Sequence, residues 1–398
     1  MLYTFAPQQN LSAGYMQAGL NYIKALQTQN VDFILRPLGS GLAWGMMPEW
    51  IQSSSSYFVS TTMDESINLI HLQPAQLCEA PLNPKALNIG LTTFETTFIP
   101  AWIAKRLNTL YQGFIVPSAH NAKALLDSGI TIPIFVVEHA IGEWWWTAPP
   151  PSRLENEDTY IFGYVGAWNY RKNPEALVKA YLKAFPTPME DAALFIKTAG
   201  DVGINSYFSY CLDGETRPDI WFYNEIWGES QIQWAHGLFD CYVSAHRGEG
   251  FGLGLAQAAL LGKPVIYTDY SAPTEWLAGK EGHIPVSYTE SNVVGMDASQ
   301  TPHFQKASQD LKWADPDEDA LVEAFRTAYA QRPKTSSTET TELRNRFSWE
   351  HIGSCLVDSI ESLSPRSIRY SLPSGNESDA TDPLFPPRVL GGETVEGA

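Results

Sequence analysis

The chain has 398 residues, with 44 acidic against 26 basic side chains and a net charge of −18. That length suits two domains, each with its own core, and a hydrophobic content of 44% excludes a disordered or fibrous chain. The negative balance argues against broad nucleic-acid binding, because it repels phosphate backbones, but it leaves room for a local basic pocket.

The opening MLYTFAPQQN lacks the basic and apolar blocks of a signal peptide. No apolar run approaches the roughly 20 residues needed to span a bilayer. The expectation is a soluble, cytoplasmic protein with no stable membrane insertion. Cys78, Cys211, Cys241 and Cys355 form no CxxC pair, so they read as free, buried thiols. The thirteen Trp exceed ordinary usage and read mainly as core, with sugar stacking as the other use of such rings.

Met16, Leu20, Ile23 and Leu26 fall at helical spacing and predict a helix over 15–29. Strands are predicted at 31–35, 67–72, 113–118 and 132–140. Between the last two, Ser118 caps a helix that runs to Ser128, with Gly129 at its end. Residues 142–158, GEWWWTAPPPSRLENED, combine three prolines with a charged run and read as a linker, within which the three Trp are unusual. The rhythm restarts with strand 161–167 and helix 174–185, where Pro174 stands in the first turn. Strands follow at 193–200, 237–245 and 262–269, then a last helix over 348–363. Strands alternating with helices imply parallel sheets covered on both faces. Residues 364–398, rich in Pro, Ser, Gly and acids, read as a mobile tail.

The most informative segment is HRGEGFGLGLAQAALLGKPVIYTD, 246–269. A strand ends near Ala245, a glycine-rich turn opens a helix, and Gly262 closes it. Glycine lets a backbone approach a ligand closely, and a helix start offers free N–H groups and a positive dipole end, which suits a diphosphate. Glu249 in this turn could hold sugar hydroxyls, and Gln257 could hydrogen-bond a ribose. By itself a glycine-rich strand–turn–helix is a weak signal, and the segment has neither a P-loop GKS/GKT nor GxGxxG.

EGFGLGLAQA resembles the signature of family 4 retaining glycosyltransferases, in which two Glu separated by seven residues flank a GFGL core. The first Glu matches Glu249; the second position is Gln257 here. VGAWNYRKNPEALVKAY (165–181) resembles the donor-domain opening of these enzymes, with Arg171 and Lys172 as the matching cations. Where relatives often have an Arg just after the first Gly, this chain has Ala167. Three segments, NIGLTTFETTFIPAWIAKRLN (88–108), IVPSAH (115–120) and VVEHA (136–140), resemble an acceptor domain of the family. GYMQAGLNYIKAL (14–26) fits its first helix, and His71 takes the place of a His near the transferred sugar.

The resemblance implies a GT-B fold: α/β, two Rossmann-like domains facing each other across a cleft. The expected division is an acceptor-binding domain over 1–145, a linker over 146–158 and a nucleotide-sugar-binding domain over 159–347, then a C-terminal helix over 348–363 and the tail over 364–398. It implies sugar transfer with retention from a nucleotide-sugar donor to an acceptor hydroxyl. Glu249, His71 and Lys172 would be catalytic. Arg171, Lys172, Lys197, Gly250, Phe251, Gly252, Leu253 and Gln257 would bind the donor. No metal is expected to be required. The acceptor stays open among a glycan, a lipid-linked sugar, a small molecule and a modified DNA base. Two rival readings are a sugar-nucleotide epimerase of the same fold and a binding protein impaired in catalysis, which Gln257 and Ala167 keep in play. His71 and His139 read equally as hydrogen-bonded core histidines, Glu95 as a loop cap or an acceptor contact, and Glu275 as a surface acid or a supporting residue.

Overall fold

The structure, a computed structural model, describes residues 1–6, 14–38, 67–149, 158–198, 203–294 and 311–363. The tail expected over 364–398, and 150–157 of the expected linker, lie outside them.

Six strands build a first, parallel sheet: β1 (Leu2–Phe5), β2 (Ile34–Pro37), β3 (Ile67–His71), β4 (Leu87–Leu91), β5 (Gly113–Val116) and β6 (Ile134–Val136). Their order is β2-β1-β3-β4-β5-β6. A second parallel sheet contains β7 (Tyr160–Val165), β8 (Ala192–Thr198), β9 (Ile220–Asn224), β10 (Cys241–Ser244), β11 (Val265–Thr268) and β12 (Ile284–Val286), in the order β12-β11-β10-β7-β8-β9. Each order reverses direction once, between β1 and β3 in the first sheet and between β7 and β10 in the second. The crevices at the carboxyl ends of those strands are where open α/β sheets hold ligands.

Each sheet is buried on both faces, which explains its near-continuous apolar strands. In the first, helices Gly14–Thr28 and Trp349–Leu363 cover one face, and Ala101–Leu110 and Ala119–Asp127 the other. In the second, Pro174–Ala184 and Glu318–Gln331 lie on one side, and Glu229–Leu238 and Leu253–Leu260 on the other. Ser118 caps helix Ala119–Asp127 by accepting from the Asn121 amide, and Gly129 follows at φ 88°. Pro174 opens its helix, as its spacing predicts.

Three strands depart from the sequence expectation, and the one expected over 132–140 shortens to Ile134–Val136. The strand expected at 31–35 lies at Ile34–Pro37, because Phe33 turns into the core while Leu2↔Ile34 to Phe5↔Pro37 form the ladder. Pro37 is tolerated because β2 is an edge. The strand expected at 237–245 shortens to Cys241–Ser244, since Gly237 and Leu238 end the preceding helix. A buried apolar run hides its period, so periodicity alone could not divide it. Cys78, Cys211 and Cys241 are buried free thiols; Cys355 is only half-buried.

The last helix does not stay with the second sheet. Trp349 Nε1 donates to Asn21 Oδ1 at 2.8 Å, and Gly353 packs so tightly on the first helix that a Cβ there would come 2.3 Å from Ala25 O. The chain therefore crosses between the sheets twice, near 141 and near 347. The two crossings run side by side, the Ile141 amide donating to Phe347 O at 2.8 Å. Beside them Trp144–Thr147 forms a short helix whose Trp145 is buried in the second unit's core and donates to Gln257 O at 3.0 Å.

Candidate active site

Two loops leave the carboxyl ends of β7 and β10 and are tied to each other. The Arg247 amide donates to Arg171 O at 2.7 Å. The Arg247 guanidinium donates to Tyr170 O at 2.6 Å, stands 3.8 Å from the Tyr170 ring centroid and pairs with Asp315 at 2.9 Å. Arg247 and Asp315 were invisible as partners in the sequence, being 68 positions apart.

The loop after β10 carries Glu249, 4% exposed. Its amide donates to Ser271 Oγ at 2.9 Å, and its carboxylate receives Lys172 Nζ and, at 3.3 Å, Arg171 Nη1. Burial works to raise its pKa, but the charges of Lys172 and Arg171 outweigh burial and hold it down to about 2. The group is therefore an anion throughout the neutral range. Ser271 holds its position at φ 62°, a left-handed geometry that no sequence signal announced.

Gly252 caps helix Leu253–Leu260 with φ 88°. Leu253 is the first residue of that helix, and Gln257 lies one turn further in, 9% exposed. Phe251 is a core ring, packed edge-on against His139 at 4.9 Å and against Phe347 at 5.2 Å. Lys197 is the penultimate residue of β8 and is 4% exposed, its Nζ 5.7 Å from the Trp227 ring. Burial lowers its pKa to about 8. Ala167 carries no cation into the turn; its carbonyl accepts from Tyr164 Oη at 2.9 Å.

The glycine-rich loop lies directly against the first unit. A Cβ on Gly250 would meet Thr93 Cγ2 at 2.4 Å and Phe94 O at 2.8 Å. Glu95 reaches Arg171 at 3.4 Å. Glu275, from the second unit, accepts from the amides of Ala119 and His120 at 2.9 and 2.8 Å and so caps a first-unit helix. Next to this junction His71 ends β3, paired with Leu91 of β4. Its Nδ1 lies 3.2 Å from Tyr3 Oη, and its ring stacks on Tyr15 at 4.5 Å. His139 bonds Tyr22 Oη at 2.9 Å. Burial holds both imidazoles neutral, with pKa values lowered to about 3.

The structure thus brings Glu249, Arg171 and Lys172 into contact, with Glu95 alongside. It places His71 and His139 across the junction and Lys197 on a neighbouring strand end. Four buried polar atoms on the first-unit wall have no hydrogen-bond partner: Tyr15 Oη, His71 Nε2, Thr92 Oγ1 and Glu95 Oε2. Each such atom costs roughly 1–3 kcal/mol if left unsatisfied. Among the described residues no group of three or more His, Cys, Asp and Glu could hold a metal ion. No described helix is long and apolar enough to cross a membrane.

No protein-family model matches the sequence, and no curated protein matches it. Solved structures do resemble it. HepE of Anabaena, determined with UDP and glucose, superposes with a TM-score of 0.64 at 11% identity, over 91% of this chain and 100% of that one. A glycosyltransferase from Rickettsia africae gives 0.64 at 13% identity, over 92% and 99% of the two chains. Sucrose-phosphate synthase from Thermosynechococcus elongatus gives 0.62 at 13%, over 92% and 100%. At these identities the likeness defines architecture: the chain has the two-domain GT-B fold of glycosyltransferases.

Proposed function

We propose that the protein is a glycosyltransferase that moves a sugar from a nucleotide-sugar donor to an acceptor hydroxyl, with retention of anomeric configuration. The observation that carries this reading is the buried Glu249 carboxylate clasped by Lys172 and Arg171 beside a glycine-capped helix start, at the strand-order reversal of the second sheet. Two structures of this fold, those of HepE, hold UDP with glucose and UDP-glucose at comparable coverage.

Cleaving a sugar–phosphate bond builds negative charge on the leaving diphosphate and positive charge on the ring. The free N–H groups at the start of helix Leu253–Leu260, with Lys172 and Arg171, stabilise the first. Lys197 adds a further cation that is only weakly solvated. Glu249 holds sugar hydroxyls and keeps both cations in place before donor arrives. Gln257 takes the ribose, as an amide that donates and accepts where relatives use a carboxylate. His71 lies near the transferred sugar as a neutral hydrogen-bonding group. The leaving phosphate helps deprotonate the acceptor, which accords with retention. The expected division of labour is acceptor binding by 1–145 and donor binding by 159–347.

Incubation with a panel of nucleotide sugars, followed by assay of free nucleoside diphosphate, tests this. Glu249→Ala and Lys172→Ala should each lower the rate by about 10²–10³, the cost of one preorganised contact to developing charge. Wild-type rates in both variants would remove the assigned roles.

A further inference from the structure

Arg247 does more than join two loops. Its guanidinium is buried, its hydrogen bonds run to Tyr170 O and to Asp315, and it lies over the Tyr170 ring. A guanidinium offers its N–H donors in one fixed plane, so these bonds hold Tyr170 in direction as well as in distance. The turn so held is tight. The amides of Lys172 and Asn173 donate to Asn169 Oδ1 and Asn169 O, both at 2.9 Å, and Asn173 closes the turn at φ 55°. Arg171 and Lys172 therefore take their places from a turn whose centre Arg247 pins. The pin is itself attached. Asp315 belongs to a hairpin of two strands, β13 (Tyr288–Asn292) and β14 (Lys312–Pro316), paired antiparallel from Tyr288↔Pro316 to Asn292↔Lys312. One residue earlier, the Ala314 amide donates to Arg247 O at 2.8 Å. At the start of the strand, the Lys312 amide donates to Thr97 Oγ1 of the first unit at 3.1 Å. Between them Trp313 is buried in the cluster that holds Phe94 and Ile99 of the first unit, and its ring lies 5.6 Å from that of Tyr170.

Resting on the donor reading above, we infer that Arg247 is a positioning residue for the Arg171–Lys172 pair, and that β14 makes its hold depend on the first unit. Four consecutive residues, Lys312 to Asp315, run from the first-unit loop to the guanidinium that sets the cation-bearing turn. Packed side chains and hydrogen bonds in an unbroken series are what carry energetic coupling between distant groups. Withdrawing loop 92–98 from Lys312 and Trp313 loosens Asp315, then Arg247, then the turn. The two cations are thus held most firmly for a diphosphate while the units meet at this hairpin. A second, direct path joins Glu95 to Arg171 at 3.4 Å. It bypasses Arg247, so substitution at Arg247 separates the two paths.

The test is amide hydrogen exchange of the full-length protein without ligand, read by mass spectrometry over residues 166–175 with 192–198 as the internal control. Thr97→Val keeps the shape of its side chain and removes the acceptor of the Lys312 amide. Exchange over 166–175 should quicken about fivefold, the shift of one neutral hydrogen bond, while 192–198 stays unchanged. In an Arg247→Lys background the same substitution should add nothing, because the path is already cut, whereas independent effects would add. An effect carried by Glu95 would persist in that background. Arg247→Lys keeps the charge and loses the planar fork, and should weaken UDP about tenfold in calorimetric titration. Unchanged exchange over 166–175 in Thr97→Val, an equal quickening in the Arg247→Lys background, or undiminished UDP affinity in Arg247→Lys would each overturn the inference. Failure of the unsubstituted protein to bind UDP would instead strike the donor reading, and the ligand-free exchange would still decide the coupling.

Discussion

Lys197 shows how environment sets the behaviour of one residue. Burial lowers its pKa to about 8, with Glu225 pulling the other way. At neutral pH it is still a cation. Above about pH 8 the unliganded protein loses that charge, and with it the attraction for a diphosphate. On the proposed donor reading, affinity for a nucleoside diphosphate such as UDP should therefore fall as pH rises from 8 towards the ordinary lysine range, by at most about tenfold per unit. Lys197→Met should abolish that slope in a calorimetric titration; a slope retained in the variant would remove Lys197 from the diphosphate site. His71 and His139 should contribute no such slope near neutrality, since both stay neutral down to about pH 3. At this scale the sequence was informative for Glu249, Arg171 and Lys172, because they sit in recognisable segments. It could not separate Glu95 as loop cap from Glu95 as acceptor contact, because that depends on a partner from another domain, Arg171. Nor could it expose Ser271, whose role rests on a backbone angle.

The element that organises the site is the turn from His246 to Gly252. Its glycines were legible as a motif, but their separate reasons were not. Gly252 needs a left-handed backbone, so Gly252→Ala should destabilise the protein by about 1–2 kcal/mol in chemical denaturation, the cost of that geometry for an L-residue. Gly250 needs empty space, because Thr93 and Phe94 lie where a side chain would go. Gly250→Ala should therefore lower nucleoside diphosphate release more than it lowers stability, by moving the loop off the first unit. Phe251 lies between these two and carries a large apolar ring into the core. Phe251→Ala should cost about 3–5 kcal/mol, measured as a reduced denaturation midpoint. The β-strands around the turn were readable from apolar runs. The hairpin formed by β13 (Tyr288–Asn292) and β14 (Lys312–Pro316) was not, since its polar, exposed first strand has no buried face to leave a pattern.

At the scale of the molecule, the two units are latched by carboxylates. Glu275 caps the helix starting at Ala119, and Arg346 makes a two-pronged bond to Glu138 at 2.6 and 2.9 Å. Burial raises the Glu138 pKa despite Arg346, so removing the arginine leaves a poorly solvated acid. Arg346→Met should lower stability by about 1–3 kcal/mol, and adding Glu138→Gln should restore part of it, as read by thermal melting. The overall two-sheet plan was legible because strand and helix signals alternate along most of the chain. The destination of the last helix was not, because amphipathicity tells that a face is buried but not against what. That destination has a consequence for how the protein is made. The opening strands leave the ribosome long before Trp349–Leu363, yet that closing segment supplies Ile352, Leu356 and Ile360 to their hydrophobic interior. A nascent or truncated product ending at 346 would expose that greasy surface to chaperones and proteases, so neither half of the gene should yield a well-behaved fragment when expressed by itself.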